Sequence, residues 1–287
     1  MSDQRALPGS WAERIGALHR GELTVPQPRL AATVVLLRDR RAGPAEAYLL
    51  RRRASMAFAG GMYAFPGGGV DPHDGTAAVG WAGPDAEEWA ARLGCPPETA
   101  RAVVCAAVRE TFEESGVLLA GADASSVVAD VSDESWRTDR ADLEAHRLSF
   151  AEFLTRRGLV LRSDLLGGWA RWITPEFEER RYDTWFFVAA VPAGQRTAEV
   201  PGEADRVEWL PPAEAVARAE AGRYLMMPPT VTTLRELARY GGPAEALAAA
   251  DGRSLAPVMA RASVQDDGRV SVSWDGHPEL TMGGTDA

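Results

Sequence analysis

The sequence predicts an α/β or α+β domain in which helices are layered against a mixed sheet. Short runs rich in β-branched and aromatic residues alternate with segments of helical periodicity along most of the 287 residues. Hydrophobic residues make up 46% of the chain and charged residues 25%, a balance suited to a packed core. No apolar run approaches the roughly 18 residues that a membrane helix needs.

Residues 1–27 are mixed and contain proline, and predict a helix over about Trp11–His19 followed by a linker. They lack the apolar stretch of a secretory signal, so a cytoplasmic protein is expected. A main domain is expected over 28–242. Ala31–Leu37 reads as a buried strand and Ala47–Leu50 as its neighbour in one sheet. A glycine-rich segment, Phe58–Asp71, comes next, then a polar interval at about 72–97 that reads as an insertion. Glu98–Glu114 is strongly helical. A second insertion, at about 122–170, predicts one or two helices within 133–158, including Ser149–Leu154. Tyr182–Val191 and Arg206–Leu210 read as strands, and Pro212–Gly222 and Pro229–Tyr240 as helices stopped by Gly222 and Gly241. Residues 243–287 form a C-terminal extension whose apolar patches, near Val258 and at Val270–Trp274, predict a small hairpin or an extended appendage.

Composition excludes several chemistries. The chain has neither lysine nor asparagine, so all 31 basic residues are arginine. Walker-type phosphate loops, Schiff-base chemistry and kinase-type lysines are thereby ruled out. A net charge of −10 without a basic stripe argues against nucleic acid as a partner. A phosphorylated small molecule stays open if local arginines or a cation offset the field. Cys95 and Cys105 do not have metal-knuckle spacing, and Cys105 reads as a buried small hydrophobe. His19, His73, His146 and His277 are too scattered to suggest zinc.

The informative helix ends Val108-Arg-Glu-Thr-Phe-Glu-Glu-Ser-Gly116. At about 100° per residue, Val104, Cys105, Val108 and Phe112 share one face, while Glu110, Glu113 and Glu114 gather on the opposite one. One reading is a solvated acidic face. The other is a cation site, because like charges repel at this spacing and the helix C-terminus adds negative potential. Hard oxygen ligands suit Mg²⁺ or Mn²⁺. On chemistry alone the two readings stand level.

Arg109-Glu-Thr-Phe-Glu-Glu-Ser-Gly-Val117 resembles the Nudix core pattern R-E-U-x-E-E-x-G-U, where U is a bulky apolar residue and Thr111 is the one soft mismatch. Phe65-Pro-Gly-Gly68 resembles the turn that precedes the Nudix helix. The resemblance implies an α/β/α sandwich and a hydrolase that cleaves the diphosphate of a nucleotide-like substrate. It assigns Glu110, Glu113 and Glu114 as metal and catalytic carboxylates, with the Gly67 carbonyl as a further ligand and Mg²⁺ or Mn²⁺ as cofactor. Arg109 is implied to brace a glutamate, and Glu203, in Pro201-Gly-Glu-Ala-Asp205, is a candidate base or extra ligand. The full box is G-x5-E-x7-R-E-U-x-E-E-x-G-U. Here about 27 residues are inserted between Gly68 and Arg109, and Arg101 stands eight positions before the arginine, where the box has its first glutamate.

The long insertions, Trp172-Ile-Thr-Pro175 and Arg181–Phe187 resemble the coenzyme A diphosphatase-like subgroup, so coenzyme A or acyl-CoA is the favoured substrate. The subgroup signature L-L-T-x-R-[SA] is met by Leu49, Leu50, Arg53 and Ala54, but its second arginine has no counterpart, Ala57 standing at that place. Candidate substrate-binding residues are Arg51, Arg53, Phe65, Gly68 and Arg181. Arg51, Arg52 and Arg53 together end a strand that leads to the glycine-rich loop, where one of them is expected either to contact a substrate phosphate or to serve a solvated edge or an acidic partner. Arg181 and Asp183 are expected either to line the site or to form a structural ion pair. Trp172, Trp185 and Phe186 read as core. ADP-ribose or NADH is the alternative substrate. A non-catalytic nucleotide-sensing module is the alternative function, and it would predict eroded carboxylates. No membrane partner is expected, and the resemblance admits a homodimer.

Overall fold

The computed structural model describes residues 10–55, 59–75, 79–198, 202, 204–265, 269–274 and 280–282. The chain opens with helix α1 (Ser10–His19) and strands β1 (Arg29–Arg38) and β2 (Glu46–Arg52). The glycine-rich segment gives two short strands, β3 (Tyr63–Ala64) and β4 (Gly67–Gly69). After them come β5 (Trp81–Ala82), α2 (Ala86–Leu93), α3 (Pro97–Ser115) and β6 (Ala120–Gly121). The second insertion holds α4 (Glu134–Glu144), α5 (Phe150–Arg157), β7 (Val160–Arg162) and the start of β8 (Gly167–Ile173). Then follow β9 (Tyr182–Ala190), β10 (Ala204–Leu210), α6 (Pro212–Glu220), α7 (Pro228–Leu237) and α8 (Pro243–Ala250). The tail carries β11 (Pro257–Met259), β12 (Arg261–Val264), β13 (Val270–Ser273) and β14 (Leu280–Met282).

The chain forms two compact units. The larger comprises 31–170 and 185–255. Its sheet runs β10-β2-β1-β9-β8, with β3 added to β2 and β4 to β1. The β2–β10 register pairs Arg51 with Arg206, Leu49 with Glu208 and Tyr48 with Trp209. Side chains alternate across a strand, so Leu49, Arg51, Tyr63 and Glu208 share one face and Tyr48, Leu50 and Arg52 the other. On the first face, Arg218 of α6 reaches Glu208, and the Tyr63 ring stacks on Tyr224 at 3.9 Å between centroids. On the second, Tyr48 is wholly buried, and α3 packs on the sheet at β4, where the Gly67 N–H meets Glu114. Helices thus cover both faces of this sheet, as the α/β/α expectation requires.

The smaller unit comprises 1–30, 171–184 and 256–287. In it β11 pairs in parallel with the 171–173 end of β8, and β12, β13 and β14 make an antiparallel sheet. The tail is therefore richer than the expected hairpin or extended appendage, with four strands among its described residues where two apolar patches were visible. Two other departures concern the insertions. The interval 72–97 contains α2, which begins with a reciprocal capping box between Asp85 and Glu88. The second insertion is not purely helical, because β7 pairs with both β5 and β6. Among the described residues, no helix is long and apolar enough to cross a membrane.

Candidate active site

Helix α3 starts from an extended Pro96 with proline at its first position and stops at Gly116, whose φ of 73° is the left-handed conformation glycine adopts freely. The Gly116 N–H donates to the Phe112 carbonyl at 2.8 Å. Nearly every residue between is buried, including Glu113 and Glu114. This overturns the solvated-face reading: the acidic side of the helix is covered as well as the apolar one. Thr111, the soft mismatch, is fully buried and satisfies its hydroxyl on the Ala107 carbonyl at 2.7 Å.

Arg109 organises the acids. Its Nε donates to Asp74 Oδ1 at 3.0 Å and its Nη2 to Asp74 Oδ2 at 3.0 Å. Nη2 also donates to the Gly69 carbonyl at 2.9 Å, while Nη1 reaches Glu110 Oε1 at 2.8 Å and Glu113 Oε2 at 3.2 Å. Asp74 and Arg109 are 2% and 5% exposed, so water does little to screen this pair. Burial pushes the Glu113 carboxyl up to about 7, against the opposing pull of Arg109 and with Glu110 and Asp74 adding to the rise.

Asp74 is the residue that sequence reading missed. Counted back from Arg109, the first box glutamate is replaced by Arg101. Counted forward from Gly68, an acid stands after five intervening residues, and that acid is Asp74. The insertion follows it, so the box is split rather than stripped. Arg101 has another task, donating to the Val79 carbonyl at 2.9 Å with its guanidinium over the Trp81 ring.

The glycine turn meets the helix directly. The Gly67 N–H donates to Glu114 Oε2 at 2.7 Å. A β-carbon on Gly68 would lie 2.5 Å from Glu110 Oε1, so only glycine lets the backbone come this close to that carboxylate. Phe65 is buried at 3% exposure, behind the turn.

The arginine candidates sort differently. Arg51 donates to Asp205 Oδ1 at 2.6 Å, and Arg53 to the Ala204 carbonyl at 3.3 Å. Arg181 belongs to the smaller unit, where it donates to the carbonyls of Pro26 and Thr174. Asp183 is in an ion pair there, but with Arg171 at 2.7 Å rather than with Arg181. Glu203 lies outside the described residues. Trp172, Trp185 and Phe186 are buried, as their strand context predicted, and so is Cys105.

The donor set suits a hard divalent cation: the carboxylates of Asp74, Glu110 and Glu113 surround the Arg109 guanidinium, and Glu114 joins them from the glycine turn. Among the described residues, though, no three His, Cys, Asp or Glu side chains are already drawn together tightly enough to enclose an ion. Arg109 stands between Glu110 and Glu113, and Glu114 is turned toward the Gly67 amide.

Comparison with known proteins agrees with this arrangement. Residues 86–237, more than half of the chain, match the NUDT19 Nudix domain. Nudix hydrolase 7 of Caenorhabditis elegans is 29% identical over 196 residues, which are 67% of this chain and 55% of that protein. The acyl-coenzyme A diphosphatase NUDT19 of Xenopus laevis is 26% identical over 149 residues, 48% of this chain and 39% of that protein. The matched stretches therefore span about half or less of these relatives' own lengths. A crystal structure of a Nudix hydrolase from Alicyclobacillus acidocaldarius superposes with a TM-score of 0.64 at 27% identity, covering 82% of this chain and all of the other. With the divided box closed by Asp74 and more than half of the sequence matched, the chain belongs to the Nudix family.

Proposed function

We propose that the chain is a divalent-metal-dependent hydrolase that cleaves the diphosphate bond of a nucleoside diphosphate derivative, with coenzyme A or acyl-CoA the favoured substrate. One observation carries the reading: Glu110, Glu113 and Glu114 are held at the end of a buried helix, two of them by one guanidinium and the third by the amide of the glycine turn. Solvated surface acids would not need such fixing. The substrate preference is supported by the match to the NUDT19 Nudix domain and by the likeness to a protein named as an acyl-coenzyme A diphosphatase.

Glu110, Glu113 and Glu114 would hold the cation, with the Gly67 carbonyl as the resemblance implies. Such an ion supplies charge neutralisation at the diphosphate oxygens and a lowered pKa for a bound water. The chain's own contribution is orientation. Arg109 fixes the carboxylates of Glu110 and Glu113 relative to each other, Asp74 and the Gly69 carbonyl fix Arg109, and the Gly67 N–H fixes Glu114. Holding these groups before substrate arrives removes reorganisation from the barrier.

The test is a substrate panel of coenzyme A, acyl-CoA, ADP-ribose and NADH with Mg²⁺ or Mn²⁺, with products identified by mass spectrometry. Release of 3′,5′-ADP and 4′-phosphopantetheine from coenzyme A is the expected result. Turnover of ADP-ribose alone would overturn the substrate assignment, and no turnover of any member would overturn the hydrolase reading. Glu114→Gln should remain folded, because its amide oxygen can still accept from Gly67, yet lose nearly all activity.

A further inference from the structure

Three consecutive arginines close β2, and strand alternation prevents them from sharing one task. Arg51 projects to the face of Tyr63 and Glu208 and is engaged by Asp205, and Arg53, just past the strand, is engaged by a carbonyl. Arg52 falls on the opposite face, with Leu50 and Tyr48. Across the ladder it is paired with Ala204, which offers no carboxylate. Its backbone is well held: the Arg52 N–H donates to the Met62 carbonyl and the Gly61 N–H donates to its own carbonyl, each at 2.9 Å. Its side chain is not. The residue is half-buried and its Nε is buried without a hydrogen-bond partner, and among the described residues its guanidinium has no ion pair.

Position gives this orphaned donor a meaning. Arg52 shares its face with the wholly buried Tyr48 and Leu50. On the same stretch of β2, Leu50 pairs with Ala64, and Ala64 leads directly into the Phe65-Pro-Gly-Gly68 turn that holds Glu114. A desolvated guanidinium N–H is costly to leave unmet. Its planar fork matches two phosphate oxygens at once, and arginine keeps its charge at any physiological pH.

We propose that Arg52, rather than Arg51 or Arg53, binds a phosphate of the substrate's diphosphate group. The proposal rests on the diphosphatase reading and adds a binding residue to it. The test measures both direct binding of inorganic pyrophosphate, by calorimetry on the full chain, and steady-state hydrolysis of coenzyme A. Arg52→Gln should weaken pyrophosphate binding and raise KM about tenfold or more, with kcat changed much less. Arg52→Lys should recover part of the affinity, since it restores charge without the fork. Arg41→Gln, which removes an equal charge at an exposed turn, should behave as the parent. Wild-type affinity and KM in a folded Arg52→Gln protein would overturn the proposal, as would a larger loss at Arg51→Gln than at Arg52→Gln. If Arg52→Gln fails to fold, Arg52→Lys decides, because full parental KM and affinity there would remove the need for the fork. Pyrophosphate binding that depends on Arg52, without hydrolysis of any substrate, would uphold the anion site while removing the hydrolase reading.

Discussion

Replacing Asp74 by alanine tests whether the divided box works as one unit. The wild-type carboxylate accepts from Arg109 Nε and Nη2 and from the Asp71 N–H at 2.8 Å, and both partners of the ion pair are almost wholly buried. Removing one partner of such a pair commonly costs about 3–5 kcal/mol, because the other charge is left uncompensated. Here Arg109 keeps Glu110, Glu113 and the Gly69 carbonyl, so the charge is not orphaned and the expected loss drops to about 2–3 kcal/mol. Urea unfolding measures this as a lower midpoint at unchanged m. Turnover should fall at least about tenfold in protein that is still folded, since the guanidinium that orients Glu110 and Glu113 is no longer held from its far side. Asp74→Glu supplies the acid found in the family box and should recover more turnover than alanine. An Asp74→Ala protein within about 0.5 kcal/mol of the parent and equally active would refute the assignment of Asp74 as the brace.

The two glycines of the turn should respond differently to alanine. In Gly67→Ala the new carbon would lie 2.4 Å from the Ala32 carbonyl oxygen and 2.7 Å from the Thr33 Cα, both backbone, so a loss of about 3 kcal/mol is expected by thermal or urea melting. In Gly68→Ala the clash is with the end of the Glu110 side chain, so stability should change little while activity collapses; equal activity in the variant would sink the close-approach account. Gln195→Leu strips partners from the Leu118 N–H, the Leu118 carbonyl and the Val128 carbonyl, and should cost at least about 2 kcal/mol in urea unfolding. Thr111→Val restores the bulky apolar residue of the box and loses only a bond to a carbonyl four residues back, so stability should stay within about 1 kcal/mol and turnover should be unchanged.

What the sequence revealed and what it hid have separate physical causes. Strands such as Tyr182–Ala190 and helices such as Pro212–Glu220 were legible because their periodicity and proline or glycine boundaries are local. The capping box of α2 was equally local and could have been read from Asp85 and Glu88. A helical wheel groups Glu110, Glu113 and Glu114 but says nothing of what covers them, so their burial under the glycine turn needed the fold. Asp74 was hidden by counting from the wrong end of an interrupted motif. The choice among Arg51, Arg52 and Arg53 needed the register with β10, which puts Asp205 beside the first and nothing acidic opposite the second.

The insertion between Asp74 and Arg109 ought to weaken their pairing, yet its cost is modest. Lengthening the connection by about 27 residues raises loop-closure entropy by only about 1–2 kcal/mol, because that cost grows with the logarithm of length. The inserted chain is also not a free loop. It folds into α2, which packs on α3 and buries Trp89 and Leu93 completely, and each such side chain contributes about 2–3 kcal/mol. Arg101 fastens the same segment to the helix through the Val79 carbonyl and the Trp81 ring. The residue that breaks the linear motif thus helps to hold the segment that separates its halves. A chain with α2 unfolded would still contain every box residue, but Asp74 would then be joined to Arg109 only by a long floating connection, and the fixed geometry of the acids would be lost with it.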